Sequence, residues 1–265
     1  MSDAAVDERI LALRDEPFNA ALGSRKTWRL LNTRQEGPGV ARCTVERRMR
    51  ALGLTGAGPG RTVRATGPAE GDRAPDDLLR RDFTATGPNR RWVVDLRPRA
   101  DPVGVLVARR SSWTCTPAAS SAGPPARARG TDNAGSTLEH AIQARKERGG
   151  ADLEGLVHHS DHGSQYLSIA YTRRLVQEGI EASAGAVGSS YDNAAAEALN
   201  KSYKRELVWR DGPWKDRADP ETATAQWVNW YNRTRPHRAN PDDLPPTTAE
   251  HRYNHNHTTT PPTTV

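Results

Sequence analysis

Long apolar runs are absent from this 265-residue chain, and cysteine is nearly absent. The longest apolar run, Val103–Ala108, is far below the ~20 residues that a membrane-spanning helix needs, which excludes a membrane-spanning protein. The N-terminus, MSDAAVDERI, is acidic and lacks the apolar stretch of a secretion signal. Two cysteines cannot form a disulfide framework or a four-thiolate zinc site. We therefore expect a cytoplasmic protein in a reducing compartment.

Acidic residues are scarce in one stretch of the chain. The whole chain has a net charge of +6, but residues 23–64 alone contain ten Lys or Arg and only two Glu. That stretch therefore carries +8, and the remainder carries −2. A basic module beside a slightly acidic remainder is typical of a protein that binds a polyanion such as DNA. Because such cations contact backbone phosphates, we expect binding that weakens strongly with salt.

Residues 23–54 have the pattern of a helix-turn-helix. A Gly-Pro-Gly turn separates two helical segments, and Val45, Met49 and Leu52 form the apolar stripe of the second segment. The arginines of the second segment lie off this stripe, so we expect them to face outward, where such a helix fits a major groove. The alternative is a solvated helical hairpin. The predicted DNA-binding residues of this module are Arg25, Lys26, Arg42, Arg47, Arg48 and Arg50.

The composition divides the chain into four parts. A helical N-terminal part contains the helix-turn-helix, and a linker rich in proline and glycine follows it. Strand and helix patterns alternate in the third part, which predicts an α/β layer structure. A polar tail is expected to be disordered. These parts are residues 1–54, 55–87, 88–253 and 254–265.

Local patterns in the third part predict individual elements. Ser136 begins a capping-box pattern, and Ser168 can cap another helix. Trp227, Trp230 and Tyr231 form an aromatic stripe at helical spacing, which is more typical of a core than of a base-stacking surface.

Three acidic residues stand where reactive groups gather in α/β proteins. Asp95 lies in a predicted strand, Asp161 lies just after another strand, and Glu197 lies in the first turn of a helix. Carboxylates brought together would repel one another unless a divalent cation neutralised them, and Mg²⁺ and Mn²⁺ prefer oxygen ligands. A pair of such ions supports the cutting and joining of phosphodiesters. The alternative is three unrelated carboxylates on the surface or at helix caps.

Two lysines follow Glu197 on one helix face. Lys201 and Lys204 come four and seven residues after it, so the carboxylate and both cations share a face. Such cations can hold DNA phosphates while the acid holds a metal ion. An ordinary solvated ion pair between Glu197 and Lys201 is the alternative.

Several runs of the sequence resemble the insertion-sequence transposases of the OrfB type, which have a retroviral-integrase-like core. Together they cover well over half of the chain. The runs are VARCTVERRMRALGL (40–54), PNRRWVVDL (88–96), GLVHHSDHGSQYLSIAYTRRL (155–175), GIEASAGAVGSSYDNAAAEALNKSYKREL (179–207), GPW (212–214) and WVNWYNRTRPH (227–237).

This resemblance implies a fold and a reaction. The core would be an RNase H-like mixed sheet flanked by helices, preceded by the small helix-turn-helix module. The family's Asp, Asp, Glu triad maps onto Asp95, Asp161 and Glu197, with the family's 35 residues between the last two, and its following basic residue maps onto Lys204. The triad would bind two Mg²⁺ (or Mn²⁺) ions in a DNA transposase, a polynucleotidyl transferase that cleaves transposon ends and joins their 3′-hydroxyls to target DNA.

The resemblance also implies partners and a location. Copies of the chain would assemble as a homo-oligomer on DNA ends, and an upstream transposon-encoded polypeptide would add DNA recognition. The protein would act at the bacterial nucleoid, in the cytoplasm and away from any membrane.

One stretch, residues 97–135, departs from the family pattern. The family places a β-hairpin there, but this stretch has five prolines and no Phe, Tyr or Ile, so we expect a degraded central hairpin in which only Val103–Ala108 can pair. Its loss would leave the strand of Asp95 without a neighbour. Because errors of ~1 Å in a site can cost ~100-fold in rate, this expectation predicts impaired activity.

Two further alternatives stay open from the sequence. His158, His159 and His162 crowd around Asp161, but without cysteine partners a structural role is favoured over a zinc site. For the function, the alternatives are a non-catalytic DNA-binding remnant and an RNase H-like nuclease, which would not need the basic module.

The departure has a testable origin. Asp95 and Asp161 are 66 positions apart, about the family's separation, although the pattern between them is lost. We hypothesise that residues 97–135 are translated from a shifted reading frame that is later restored. Translation of these codons in all three frames tests the hypothesis, because one of the other frames should encode a hairpin rich in aromatic and β-branched residues. If neither frame does, the hypothesis is wrong.

Overall fold

The computed structural model describes most of the chain. Some residues inside helices and strands, Asp95 among them, are described by their backbone alone. The described residues are 1–33, 38–58, 75–82, 84–85, 87–95, 105–110, 112–116, 130–147, 153–160, 168–185, 194–211 and 218–258.

A mixed five-stranded sheet forms the centre of the α/β part. Its strands are β1 (Arg91–Asp95), β2 (Val105–Arg110), β3 (Ser112–Thr116), β4 (Val157–Ser160) and β5 (Glu181–Ala184). The spatial order is β3-β2-β1-β4-β5. The pairs β3–β2 and β2–β1 are antiparallel, and the pairs β1–β4 and β4–β5 are parallel. The expected mixed sheet of an RNase H-like core is confirmed.

The expectation of a lost central hairpin is wrong for the backbone. β2 pairs with β1 from Arg91↔Arg109 to Asp95↔Val105, and β3 continues the ladder on the other side of β2. The physical reason is that all five prolines of residues 97–135 lie outside the two strands, so none removes an N–H from the ladder. The composition of β3, Ser-Trp-Thr-Cys-Thr, also includes residues that favour strands.

Helices cover the sheet and form the N-terminal module. Two of them, α2 and α3, occupy the two segments expected on either side of the Gly-Pro-Gly turn. No helix among the described residues is long and apolar enough to span a membrane. The helices are α1 (Asp3–Asp15), α2 (Ser24–Thr33), α3 (Arg42–Ala51), α4 (Gly130–Glu147), α5 (Ile169–Gln177), α6 (Ala194–Tyr203), α7 (Trp209–Asp211), α8 (Ala218–Arg233) and α9 (Pro246–Thr258).

Three segments differ from the sequence expectation. Helix α4 begins at Gly130, six residues before the capping box at Ser136. Helix α9 continues to Thr258, so residues 254–258 of the expected tail are helical. In the expected linker, Leu79 is buried, and the backbone N–H of Leu78 donates to Ser183 Oγ of β5 at 3.0 Å, although the Leu78 side chain stays exposed.

One hydrophobic core lies between the sheet and helices α4 and α5. Trp92 and Val94 of β1 face it and are fully buried. Ser168 accepts a hydrogen bond from the Tyr171 backbone N–H, so the predicted cap of α5 is present. The other buried members are Leu138, Ala141, Ile142, Leu153, Leu156, Tyr171, Leu175 and Ile180.

A second hydrophobic core joins the N-terminal helices to helices near the other end of the chain. Leu199, Tyr203 and Leu207, from α6 and the turn after it, are buried against α8 and the N-terminal module. The aromatic stripe of α8 is part of this core, as predicted. Phe18 contributes a ring 5.5 Å from that of Trp230. The remaining buried members are Val6, Ile10, Leu13, Leu22, Leu30, Leu31, Val40, Val45, Met49, Trp227, Val228 and Tyr231.

A buried ion pair crosses this second core. Glu206 lies in a π-helical turn, Lys204–Val208, that interrupts the helix between α6 and α7. Its carboxylate accepts hydrogen bonds from Arg235 Nε at 2.9 Å and from the Arg235 NH2 group at 2.6 Å. Trp227 Nε1 donates to the same carboxylate at 3.3 Å. Both charged side chains are more than nine-tenths buried, so each depends on the other for compensation.

We expect Arg235→Met to destabilise the protein by ~3–5 kcal/mol, because it leaves the Glu206 charge buried without its main partner. The measurement is urea unfolding followed by tryptophan fluorescence. The matched control is Arg252→Met, which breaks an exposed pair with Asp242 and should cost at most ~1 kcal/mol. Equal costs for the two variants would contradict the role given to the buried pair.

Candidate functional site

The ends of two parallel strands carry the first part of the candidate site. Asp95 is the last residue of β1, and β4, its parallel neighbour, ends at Ser160. The register pairs Trp92 with His158 and Val93 with His159, so both strands reach the same edge of the sheet. Asp161 follows β4 directly in the sequence but lies outside the described residues.

Helix α6 carries the third acidic residue. Glu197 lies in its first turn, is one-quarter exposed, and accepts a hydrogen bond from Lys201 Nζ at 3.1 Å. Helix α6 packs against β1 and β2, so the helix of Glu197 lies against the strand that ends at Asp95. Among the residues that the structure describes, no group of three potential metal ligands comes together. The convergence of the triad therefore stays a prediction.

The two lysines of α6 have different surroundings. Lys201 is 61% exposed and pairs with Glu197, as the solvated ion-pair alternative also requires. Lys204 is half-buried at the first residue of the π-helical turn. Helical periodicity alone gives no signal for such a turn, which changes the direction of every residue after Tyr203.

The two histidines of β4 are buried in the structure. His158 Nε2 lies 2.9 Å from the Tyr171 hydroxyl, and His159 Nδ1 lies 2.8 Å from Ser183 Oγ. Burial lowers the pKa of His158 to about 4. These contacts give both histidines a structural role, as favoured, whereas His162 lies outside the described residues.

The lowered pKa of His158 predicts that the protein loses stability in mild acid. Its pKa is lower in the folded state than in the unfolded chain, so unfolded molecules bind the proton between pH 6.5 and 4 and folded ones do not. Stability is fully present above pH 6.5 and falls by up to ~1.4 kcal/mol per pH unit, ~3 kcal/mol in all, as the pH drops to 4. Urea unfolding at a series of pH values measures this slope.

The variant His158→Gln should flatten the stability slope between pH 6.5 and 4, because glutamine keeps a polar partner for Tyr171 but does not titrate. His140→Gln is the control, since His140 is exposed on α4. A slope that survives unchanged in His158→Gln would show that other groups cause it.

The predicted DNA-binding face of α3 is only partly open. Arg42 and Arg50 are exposed, although Arg42 Nε also donates to Glu46 at 2.7 Å. Arg47 is 56% exposed, as expected, but both of its terminal nitrogens donate to Asp3 of α1 at 2.7 Å. For these three arginines, the outward orientation is confirmed.

The outward orientation predicted for Arg48 is wrong. Its side chain is 19% exposed and donates to Asp7 through Nε at 2.7 Å and to Asp3 at 3.2 Å. Hydrogen bonds from Arg47 and Arg48 lower the pKa of Asp3 and Asp7, respectively, below their ordinary value. The reason is that α1 packs against α3 and brings two carboxylates to its basic side, which the periodicity of α3 cannot reveal.

The cations of α2 face acids of the C-terminal half. Arg25 and Arg29 both donate to Asp243, at 3.1 and 3.0 Å, and Lys26 Nζ lies 3.9 Å from Glu206 Oε1. Burial, assisted by the Arg235 cation, lowers the pKa of Lys26 to about 7. Arg25, which is 43% exposed, and Lys26, which is 30% exposed, are therefore paired with carboxylates of the protein, which sequence reasoning missed because these partners lie about 200 residues away.

The motif Arg235-Pro236-His237 follows α8 and contacts the turn of Asp243. The Arg235 guanidinium lies over the Tyr231 ring at 5.0 Å, and the ring of His237 meets it edge-on at 4.5 Å. The His237 backbone N–H donates to the Asp243 carbonyl at 3.0 Å. Burial lowers the pKa of His237 well below its ordinary value, so this histidine is neutral and structural.

Comparisons with known proteins agree with this architecture. A family model described as "Integrase core domain" matches residues 178–245. A putative transposase for insertion sequence element IS986/IS6110 from Mycobacterium tuberculosis (strain ATCC 25177 / H37Ra) is 42% identical over 240 residues, which are 87% of this chain and 82% of that protein. The transposase for insertion sequence element IS629 from Shigella sonnei is 39% identical over 226 residues, which are 80% of this chain and 68% of that protein.

Among solved structures, the catalytic core domain of BIV integrase aligns with 64% of this chain and 99% of its own chain, with a TM-score of 0.43 and 13% identity. The matching family model identifies an integrase-type core, which in this structure contains a mixed sheet with α6 packed against β1. The chain belongs to the insertion-sequence transposases that carry such a core, and this family acts in DNA transposition.

Proposed function

We propose that the chain is a polynucleotidyl transferase that cleaves transposon ends and joins their 3′-hydroxyls to target DNA, with Asp95, Asp161 and Glu197 as its catalytic carboxylates. The observation that carries the proposal is the packing of α6 against β1. Glu197 lies at the start of that helix, Asp95 ends that strand, and Asp161 follows the parallel strand β4.

The donor set fits divalent metal ions. Three carboxylates supply only oxygen atoms, which Mg²⁺ and Mn²⁺ prefer, and the partial exposure of Glu197 keeps its carboxylate accessible. We propose that these residues hold two such ions. The chemistry that two ions supply when bound is activation of an attacking oxygen and stabilisation of a departing one. Membership in an integrase-core family supports divalent-metal chemistry in general.

Lys201 of α6 and Lys204, the first residue after it, hold the substrate in this proposal. Lys201 extends into solvent within hydrogen-bond distance of Glu197, so a phosphate bound there would lie beside the catalytic carboxylate. Lys204, one turn further along, would contact the next part of the same DNA backbone. Both contacts orient the scissile phosphate without identifying its sequence.

The N-terminal module supplies DNA binding in this proposal. Arg42, Arg47 and Arg50 present cations on the exposed face of α3, where a recognition helix meets a major groove. Arg48, Arg25 and Lys26 belong to the same predicted set but lie away from this exposed face, and each of them pairs with a carboxylate, as the exposed Arg42 and Arg47 also do. We therefore expect these three to contribute less to DNA affinity than Arg50 does.

The proposal extends to assembly. A transposase that joins two DNA ends to one target needs more than one active centre near the junction, so we propose a homo-oligomer on DNA. An upstream transposon-encoded polypeptide would add DNA recognition. Family membership supports both, and the place of action would be the bacterial nucleoid.

Glu197→Gln tests the catalytic assignment. The substitution removes a metal-binding charge, so we expect strand transfer to fall more than ~100-fold while DNA binding is retained or strengthened. The assay uses labelled duplexes that end in the inverted repeats flanking the gene, with Mg²⁺, and chelation by EDTA should stop the wild-type reaction. The control is Glu181→Gln, which removes an exposed carboxylate at the start of β5.

The two alternative functions predict other outcomes of this assay. Binding of the ends without any cleavage by the wild type, with either metal, would identify a DNA-binding remnant. Cleavage of duplexes regardless of their end sequence, with no joined product, would identify a nuclease. Full strand transfer by Glu197→Gln would overturn the assignment of Glu197.

A further inference from the structure

Asp243 binds two arginines of the DNA-binding module. It lies in a short 3₁₀ turn, Pro241–Asp243, and its side chain is 8% exposed. Arg25 and Arg29 are one helical turn apart on α2, so both reach this one carboxylate, at 3.1 and 3.0 Å. The hydrogen bonds from Arg29 and Arg25 keep the pKa of Asp243 below its ordinary value although burial raises it.

A second acid binds the lysine between them. Lys26 Nζ lies 3.9 Å from Glu206, which also accepts hydrogen bonds from Arg235 and Trp227. Beside these charges, Trp230 Nε1 donates to Asn19 Oδ1 at 2.9 Å. We call the five side chains Arg25, Lys26, Arg29, Asp243 and Glu206 the docking junction.

One member of the docking junction, Glu206, lies on the same helical segment as the proposed catalytic glutamate. Glu206 is nine residues after Glu197 in the segment that runs from α6 into the π-helical turn. At ~1.5 Å per residue, the two carboxylates are separated by ~14 Å along the axis. Helix α6 packs against β1, and Glu206 in the turn that follows α6 faces Lys26 of α2.

The module is held on the core by packing between their helices. The second hydrophobic core joins the N-terminal helices to α6 and α8, and the docking junction adds charged contacts to it. Strand transfer needs placement to ~1 Å, so a fixed contact between the module and the core has to supply the precision.

We propose that the docking junction fixes the DNA-binding helices on the catalytic core, and that Asp243 is a positioning residue for strand transfer that does not itself touch DNA. This inference rests on the proposed function. Because α2 and α3 pack together, DNA held by α3 moves with α6 and therefore with Glu197. Two cations predicted to bind DNA, Arg25 and Lys26, act in docking.

Two adjacent aspartates give a matched test. Asp243 and Asp242 both have a positive φ, 52° and 53°, which asparagine tolerates. Asp242 is 64% exposed and pairs with Arg252 on α9, away from α2. Asp243→Asn and Asp242→Asn therefore remove the same charge from neighbouring positions with the same backbone conformation.

We expect Asp243→Asn to lower the single-turnover rate of strand transfer at least tenfold at saturating DNA, with less than a threefold change in the Kd for transposon ends. Asp242→Asn should change neither quantity. Asp243→Glu should recover part of the rate, because it restores the charge. Combining Arg29→Gln with Asp243→Asn should cost no more than Asp243→Asn alone, since both remove one interaction.

A readout independent of activity separates docking from the proposed function. Hydrogen exchange in the full chain should speed up in α2 of Asp243→Asn and stay unchanged in β1 and β4. If the wild type transfers no strands with Mg²⁺ or Mn²⁺, the proposed function and the positioning role of Asp243 are both wrong. The hydrogen-exchange rate of α2 in Asp243→Asn still shows whether Asp243 docks α2 on the core.

Several outcomes would overturn the inference. Equal rates for Asp243→Asn and Asp242→Asn would do so, as would a rate loss that higher DNA concentration reverses, because Asp243 would then act on affinity. Unchanged exchange in α2 would exclude docking. If Asp243→Asn does not fold, Arg29→Lys keeps the charge and loses the Nε donor; a folded Arg29→Lys with the wild-type rate would likewise contradict positioning.

Discussion

The buried carboxylate of Glu206 is the constraint on which the second core depends. A charge taken out of water costs several kcal/mol unless partners compensate for it. Arg235 is the main partner here, and its position requires α8 to end and turn back over Tyr231. That turn leads to His237, whose backbone N–H donates to the carbonyl of Asp243. The Asp243 carboxylate in turn accepts a hydrogen bond from Arg29 of α2. One desolvated charge, in the turn after α6, is thus linked through Arg235 and Asp243 to the packing of the N-terminal helices.

Net charge along the sequence overstates the cationic surface of the module. Carboxylates from outside the basic stretch, Asp3 and Asp7 on one side and Glu206 and Asp243 on the other, face several of its cations. The module is therefore basic in sequence and partly neutralised in three dimensions. Cations that pair internally stabilise the packing of helices, and those left exposed on α3 remain to attract phosphates.

Local patterns predicted much of the fold, and the pairing of distant segments could not be predicted. The short β-prone run predicted β1, and the apolar stripe of the second helical segment predicted α3. The aromatic stripe of α8 is buried, as expected. Each depends on residues within one or two turns. The partners of Arg25, Arg48 and Lys26 depend on tertiary packing, and the π-helical turn after Tyr203 has no periodic signal. The resemblance to the transposase family implied the triad Asp95, Asp161 and Glu197, and its convergence remains a prediction.

The central hairpin shows why an unusual composition need not remove a strand. Ladder hydrogen bonds join backbone groups, so β2 can pair with β1 through almost any residues except proline. Side chains matter on the faces of the sheet instead. Helix α6 packs against β2 as well as β1. The hairpin therefore lies beside the helix of Glu197, and the strand of Asp95 keeps a neighbour on each side.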